Sequence, residues 1–107
     1  MSEAIFRIAI PVPLRQLFDY LPPIEPLEPL AVKLEPGMRV LVPFGRRTIV
    51  GIIIEIRDST DHPVLKLKRI IACLDKEALF PKTILQLDLQ QKLDFFMIYC
   101  QLNEILN

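Results

Sequence analysis

The sequence predicts an α+β fold that is mainly β, a small twisted β-barrel or half-open sheet closed by a C-terminal helical segment. Three observations predict it. Two β-branched runs flank a glycine-containing turn, as a hairpin requires. A separate apolar run, IFRIA, lies near the N-terminus. After Phe80 the apolar residues change from alternating to helical spacing, with Pro81 at the change. With 107 residues, 51% of them hydrophobic, the chain can bury one modest core. A single domain over 1–107 is therefore expected, β-rich over 4–75 and helical over about 81–106.

Each element has a local reason. IFRIAIPVP ends in Pro-x-Pro, which suits a short strand that stops or lies on an edge. Residues 14–20 then lead into LPPIEPLEPL, where Pro22, Pro23, Pro26 and Pro29 forbid a helix and make a stiff loop. Pro36-Gly37 marks a tight turn, residues 38–42 (MRVLV) a strand, residues 45–47 a second turn, and residues 48–56 (TIVGIIIEI) a β-branched strand. DSTDHP is a polar connection, and VLKLKRIIACLD reads as a strand entering the core. Pro81 suits a first helical turn, and Leu85, Leu89, Leu93, Phe96 and Leu106 fall near one helical face. LQLDLQ also alternates with period two. The whole arrangement is OB-like.

Charge narrows the function classes by its placement. Lys+Arg and Asp+Glu are 13 each, but residues 39–69 hold seven bases against three acids. Such a basic middle fits a few phosphate contacts and is too weak for a strong electrostatic binder. Cys73 and Cys100 stand at no metal-ligand spacing, and with one histidine they make no zinc site, so both read as buried free thiols. MSEAIFRIAIPVP is acidic at Glu3 and interrupted by prolines, unlike a signal peptide, and no run approaches the ~18 apolar residues of a membrane span. A soluble cytoplasmic protein without membrane or cofactor partners is expected. The phosphate loop G-x-x-x-x-G-K-[ST], the G-x-S-x-G elbow and Cys-x-x-Cys are missing, and His62 reads as a solvated turn residue.

Phe18, Asp19 and Tyr20 form the most distinctive short stretch. In extended backbone the two aromatics point to one face and Asp19 to the other. Asp19 is then an acceptor for a ligand hydroxyl or for turn amides. Gly37 after Pro36 supplies a turn conformation or lets a ligand approach the backbone. Lys68 and Arg69 are solvated strand-edge charges or phosphate contacts. Arg46 and Arg47 at a hairpin tip are the strongest generic sign of nucleic acid. With Arg39 and Arg69 they make the candidate phosphate contacts.

Three blocks carry a resemblance: V-P-L-x-x-x-F-D-Y, G-x-R-V-x-V-P-F-G-R-R and L-K-x-I-x-x-x-L-D, in this order. Together they resemble the amino-terminal domain of the primosomal protein N′ (PriA) family of replication-restart helicases. The likeness covers about Phe6 to Phe80, and from about Leu85 the sequence departs from the family's usual continuation. The resemblance implies a non-catalytic module that binds the 3′ end of a nascent strand at a stalled fork or D-loop, largely regardless of base. It implies that Asp19 receives the terminal 3′-hydroxyl with Phe18 and Tyr20 beside it, that Gly37 allows close approach, and that Lys68 contacts the end nucleotide. Other primosome proteins and single-strand-binding protein are implied as partners through the parent helicase. The family's motor and zinc-binding region lie beyond such a domain. The alternative is a protein-interaction barrel whose basic hairpin is ordinary surface and whose helical tail docks a partner.

Overall fold

A computed structural model describes residues 4–11, 16–24, 33–60, 62–63, 66–75, 77–78 and 80–103. Its elements are β1 (Ile5–Ala9), β2 (Leu17–Tyr20), β3 (Arg39–Phe44), β4 (Arg47–Arg57), β5 (Ala72–Cys73), α1 (Lys82–Leu85) and α2 (Leu89–Asn103). The strands form one sheet in the order β2-β1-β4-β3-β5, and every neighbouring pair is antiparallel.

The β3–β4 hairpin is tighter than the sequence suggests. Phe44 pairs with Arg47, leaving only Gly45 and Arg46 to turn the chain, and Gly45 takes a φ of 62°, the left-handed region open to glycine. Pro43 fits inside β3 because it lies past Leu41, the last residue of β3 that β5 pairs. The Pro43–Thr48 pair, next to the closing pair, is the kind that exchanges no hydrogen bonds, so the missing N–H interrupts no ladder. On the other side of β4, Gly51 admits the close crossing of β1. A Cβ there would lie 2.5 Å from Ile8 Cγ2 and 2.8 Å from the Ala9 carbonyl oxygen.

Of the barrel and the half-open sheet expected, the structure has the open form, a curled five-stranded sheet with helix after it, mainly β and OB-like. Among the described residues its two edges meet at a parallel bridge, Leu21 with Arg69. There the Leu21 N–H donates to the Lys68 carbonyl at 2.9 Å and the Ile70 N–H to the Leu21 carbonyl at 3.0 Å. The expected strand VLKLKRIIACLD shrinks to Ala72–Cys73 for the same reason. Its backbone bonds go to Leu21 through Ile70, then switch to β3, where Ile71 N–H donates to Leu41 and Leu74 N–H to Arg39. A segment that changes partner midway cannot form one ladder.

Alternation along the strands sorts the apolar side chains into two clusters. Phe6, Ile8, Tyr20, Val40, Val42 and Ile53 pack on one side of the sheet. Ala9, Ile52, Ile54, Phe80, Leu93 and Phe96 pack on the other. The continuous run Ile52, Ile53, Ile54 is buried on both faces, which explains why β4 lacks the polar alternation of a half-exposed strand. Each fully buried Ile stabilises by about 1.5–3 kcal/mol.

The helices cover the second cluster. Asp88 and Gln91 make a reciprocal cap: the Gln91 N–H donates to Asp88 Oδ1 at 2.9 Å and the Asp88 N–H to Gln91 Oε1 at 3.4 Å. This cap starts α2 afresh, so Leu85 in α1 and Leu89 do not share one continuous helical face. Leu93 and Phe96 are buried, whereas Leu89 is exposed. Phe95 meets Phe80 edge to face, with centroids 5.0 Å apart. Residues 25–32 of the proline-rich loop, Leu106 and the Cys100 side chain lie outside what is described. Among the described residues no helix is long and apolar enough to cross a membrane.

Candidate nucleic-acid interface

The alternation expected of Phe18, Asp19 and Tyr20 is present in β2. Tyr20 is buried and its hydroxyl donates to the Pro43 carbonyl at 2.7 Å. Burial raises its phenol pKa from the ordinary 10.0 to about 12, because the phenolate would lose its hydration. Phe18 is half-buried and packs edge to face on Phe44, centroids 5.1 Å apart. These contacts fasten β2 to the end of the β3–β4 hairpin.

Asp19 is no open surface acceptor. Its side chain is 10% exposed, its Oδ1 lies 3.5 Å from Arg7 Nε, and its Oδ2 accepts from the Thr60 hydroxyl at 2.5 Å. Register explains the first contact, since Arg7 on β1 pairs with Asp19 on β2 and with Glu55 on β4. Arg7 Nη1 is 3.4 Å from Glu55 Oε2, so one guanidinium stands between two carboxylates across three adjacent strands.

A cleft of ≈ 380 Å³ opens between β2, the hairpin tip and residues 66–68. Phe18, Asp19, Tyr20 and Lys68 all line it, so four of the five residues expected to meet a strand end are brought together. Phe44, Gly45, His62 and Lys66 line it too. The Lys68 ammonium spans the mouth and donates to the Gly45 carbonyl at 3.3 Å. His62 is exposed, as expected of a turn residue, but it borders this cleft.

Gly37, expected opposite Asp19, is not among the residues that line the cleft. It enters β3 at the end away from the hairpin tip, and at about 3.3 Å per residue β3 carries the tip roughly 25 Å further on. Its work is structural. With φ 95° its N–H donates to the Ile53 carbonyl at 2.7 Å, and an added Cβ would lie 3.0 Å from Ala78 Cβ. The glycine that the cleft does use is Gly45.

The expected phosphate contacts divide in two. Arg46 and Arg47 are exposed at the hairpin tip beside Gly45. Arg39 is engaged by Asp75 through its backbone N–H (2.8 Å), Nε (3.1 Å to Oδ2) and Nη2 (2.8 Å). Arg69 donates from Nη1 to the Pro22 carbonyl at 2.9 Å, beside the bridge between the sheet edges. Both are engaged by partners within the protein, unlike the exposed tip arginines. Sequence reasoning also passed over Thr60, Phe44 and Arg7. Phe44 and Gly45 were signalled by their place at the hairpin tip, but no local pattern marks Thr60.

A larger cleft, ≈ 580 Å³, opens between the end of β4 and the two helices, lined by Arg7, Glu55, Arg57, Leu85 and Lys92 among others. None of the residues expected to bind nucleic acid lines it. Cys73 is half-buried. Its thiol donates to the Asp75 carbonyl at 3.0 Å, and burial raises its pKa. Among the described residues no three of His, Cys, Asp and Glu come together as a metal site needs.

Comparisons with known proteins agree with the three sequence blocks. The family described as 3'DNA-binding domain (3'BD) matches residues 7–96, extending the likeness past Leu85 to Phe96. The replication restart protein PriA of Haemophilus influenzae is 45% identical over 76 residues, 71% of this chain and 10% of that protein. The replication restart protein PriA of Buchnera aphidicola subsp. Acyrthosiphon pisum is 30% identical over 83 residues, 78% of this chain and 11% of that protein. The chain thus spans about a tenth of the length of the curated relatives it matches. What matches is a DNA-binding domain and not a motor, and with 90 of its 107 residues (7–96) inside that match, the chain belongs to the 3'DNA-binding domain (3'BD) family of PriA.

Proposed function

We propose that the whole chain acts as one non-catalytic domain that holds the 3′-hydroxyl end of a nascent strand in the cytoplasm during replication restart. The cleft carries this reading. It joins an aromatic wall (Phe18, Phe44), a carboxylate (Asp19) and a donor–acceptor pair (Lys68 ammonium and Gly45 carbonyl). A terminal nucleotide presents a π-face, a hydroxyl and a phosphate, and each finds a counterpart here. A hydroxyl both accepts and donates, so it suits Lys68 on one side and Gly45 or Asp19 on the other. A terminal phosphate donates nothing and is repelled by the carboxylate. Arg46 and Arg47 lie beside the cleft to meet the preceding phosphates. Stalled forks, D-loops, other primosome proteins and single-strand-binding protein are partners of the longer protein to which such a domain belongs.

The test is the affinity of a fluorescent single strand ending in 3′-hydroxyl against the same strand ending in 3′-phosphate. Asp19→Ala should weaken 3′-hydroxyl binding by about 1–3 kcal/mol and 3′-phosphate binding less, shrinking the preference. Arg47→Ala should weaken both alike. Equal affinity of the unaltered protein for the two ends sinks the proposal. A protein-docking reading draws on Ile71 and Leu74, exposed on either side of β5. It predicts no measurable binding to either strand.

A further inference from the structure

Asp19 is held from two sides, by Arg7 on β1 and by Thr60 in the connection after β4. Arg7, at 3.5 Å from Oδ1, lines the larger cleft by the helices. Thr60, at 2.5 Å from Oδ2, belongs to the connection after β4, whose His62 lines the candidate DNA cleft. The direction of the Thr60 bond is determined. A carboxylate only accepts, so the Thr60 hydroxyl donates to Asp19, while its oxygen accepts from the His62 N–H at 3.2 Å. A hydroxyl-to-carboxylate bond of this length is charge-assisted and among the stronger side-chain bonds.

We propose that Thr60 is a positioning residue for end recognition: it fixes Oδ2 of Asp19 while Arg7 holds Oδ1, and so sets the direction of the carboxylate. This rests on the proposal that Asp19 reads the strand end. An aspartate turns freely about its terminal torsion, so the lone pairs left for a ligand hydroxyl point wherever its fixed partners direct them. Without the Thr60 hydroxyl, Arg7 is left to orient the carboxylate from the β1 side. The same hydroxyl orders the connection that sets His62 against the cleft, so one side chain positions both a wall residue and the acceptor.

The experiment measures affinity for 3′-hydroxyl and 3′-phosphate single strands with the unaltered chain, Thr60→Val, Thr60→Ala, Thr60→Ser and Asp19→Ala. The readout is the ratio of the two affinities, which a change in stability alone does not move. Thr60→Val, which keeps the shape and loses the hydroxyl, should reduce the preference for the 3′-hydroxyl end about threefold or more. Thr60→Ser should retain it, and Thr60→Ala stands in for Thr60→Val if the valine variant does not fold. A Thr60→Val or Thr60→Ala protein with the full preference overturns the inference. So does a Thr60→Ser protein that loses as much as the valine variant, because the methyl would then matter and not the hydroxyl. If Asp19→Ala abolishes the preference while Thr60→Val keeps it, only the role of Thr60 falls. If Asp19→Ala keeps the preference, the reading of Asp19 falls and this inference with it.

Discussion

Tyr20 on β2 donates its hydroxyl to the carbonyl of Pro43 on β3, at 2.7 Å, although the two strands are not neighbours in the sheet. The bond crosses the inside of the curled sheet and ties the β2 wall of the candidate cleft to the hairpin tip opposite.

Removing that hydroxyl with Tyr20→Phe should cost about 1 kcal/mol and lower the melting temperature by several degrees. The same residue predicts an alkaline transition. Folding raises its pKa from 10.0 to about 12, so above pH 10 the unfolded chain releases a proton that the folded one keeps. The stability from burying the neutral phenol is therefore complete below about pH 10 and is lost as pH climbs toward 12, by at most about 2–3 kcal/mol. Denaturant titrations between pH 9 and 12 should show this loss in the unaltered chain, and Tyr20→Phe should lack the Tyr20 share of it. Equal slopes in both proteins would contradict the assignment.

The two left-handed glycines should respond in opposite ways. Gly37→Ala meets both an unfavourable φ of 95° and a Cβ contact of 3.0 Å with Ala78, so a loss of about 2–3 kcal/mol is expected, with DNA affinity of the folded protein unchanged. Gly45→Ala meets only the φ of 62°, with nothing within 4 Å of its Cβ, so about 1 kcal/mol is expected. Gly45, however, lines the cleft and accepts from Lys68, so its substitution should weaken strand binding. Chemical denaturation and fluorescence anisotropy on both variants check the pair, and a Gly37→Ala protein that binds weakly while fully folded would return that residue to the interface.

Salt dependence should separate binding cations from structural ones. If two to four of Arg46, Arg47, Lys66 and Lys68 meet phosphates, the log–log slope for single strands should be about −1.5 to −3, and Arg47→Ala should make it shallower by about 0.7. Arg39→Ala should leave the slope alone. It takes the guanidinium from Asp75, whose side chain is 8% exposed, leaving the backbone N–H of residue 39, and should cost about 1–3 kcal/mol of stability. A slope that changes with Arg39→Ala and not with Arg47→Ala would reverse this division.

The sequence by itself determined what rests on neighbouring residues. The hairpin followed from β-branched runs about Gly45, and the alternation of Phe18, Asp19 and Tyr20 from the period of a strand. The helical segment after Pro81 followed from the change in apolar spacing, and the three blocks were enough to suggest the family. Tertiary structure decided which glycine, which arginines and which face of Asp19 serve the cleft. Those answers lie in contacts between distant positions: Thr60 with Asp19 at a separation of 41 residues, Arg39 with Asp75 at 36, and Lys68 with Gly45 at 23. A guanidinium reads the same in a sequence whether it meets solvent or a buried carboxylate. Only the pairing of strands, and the midway switch of residues 68–74 from Leu21 to β3, brings each of these side chains to its partner.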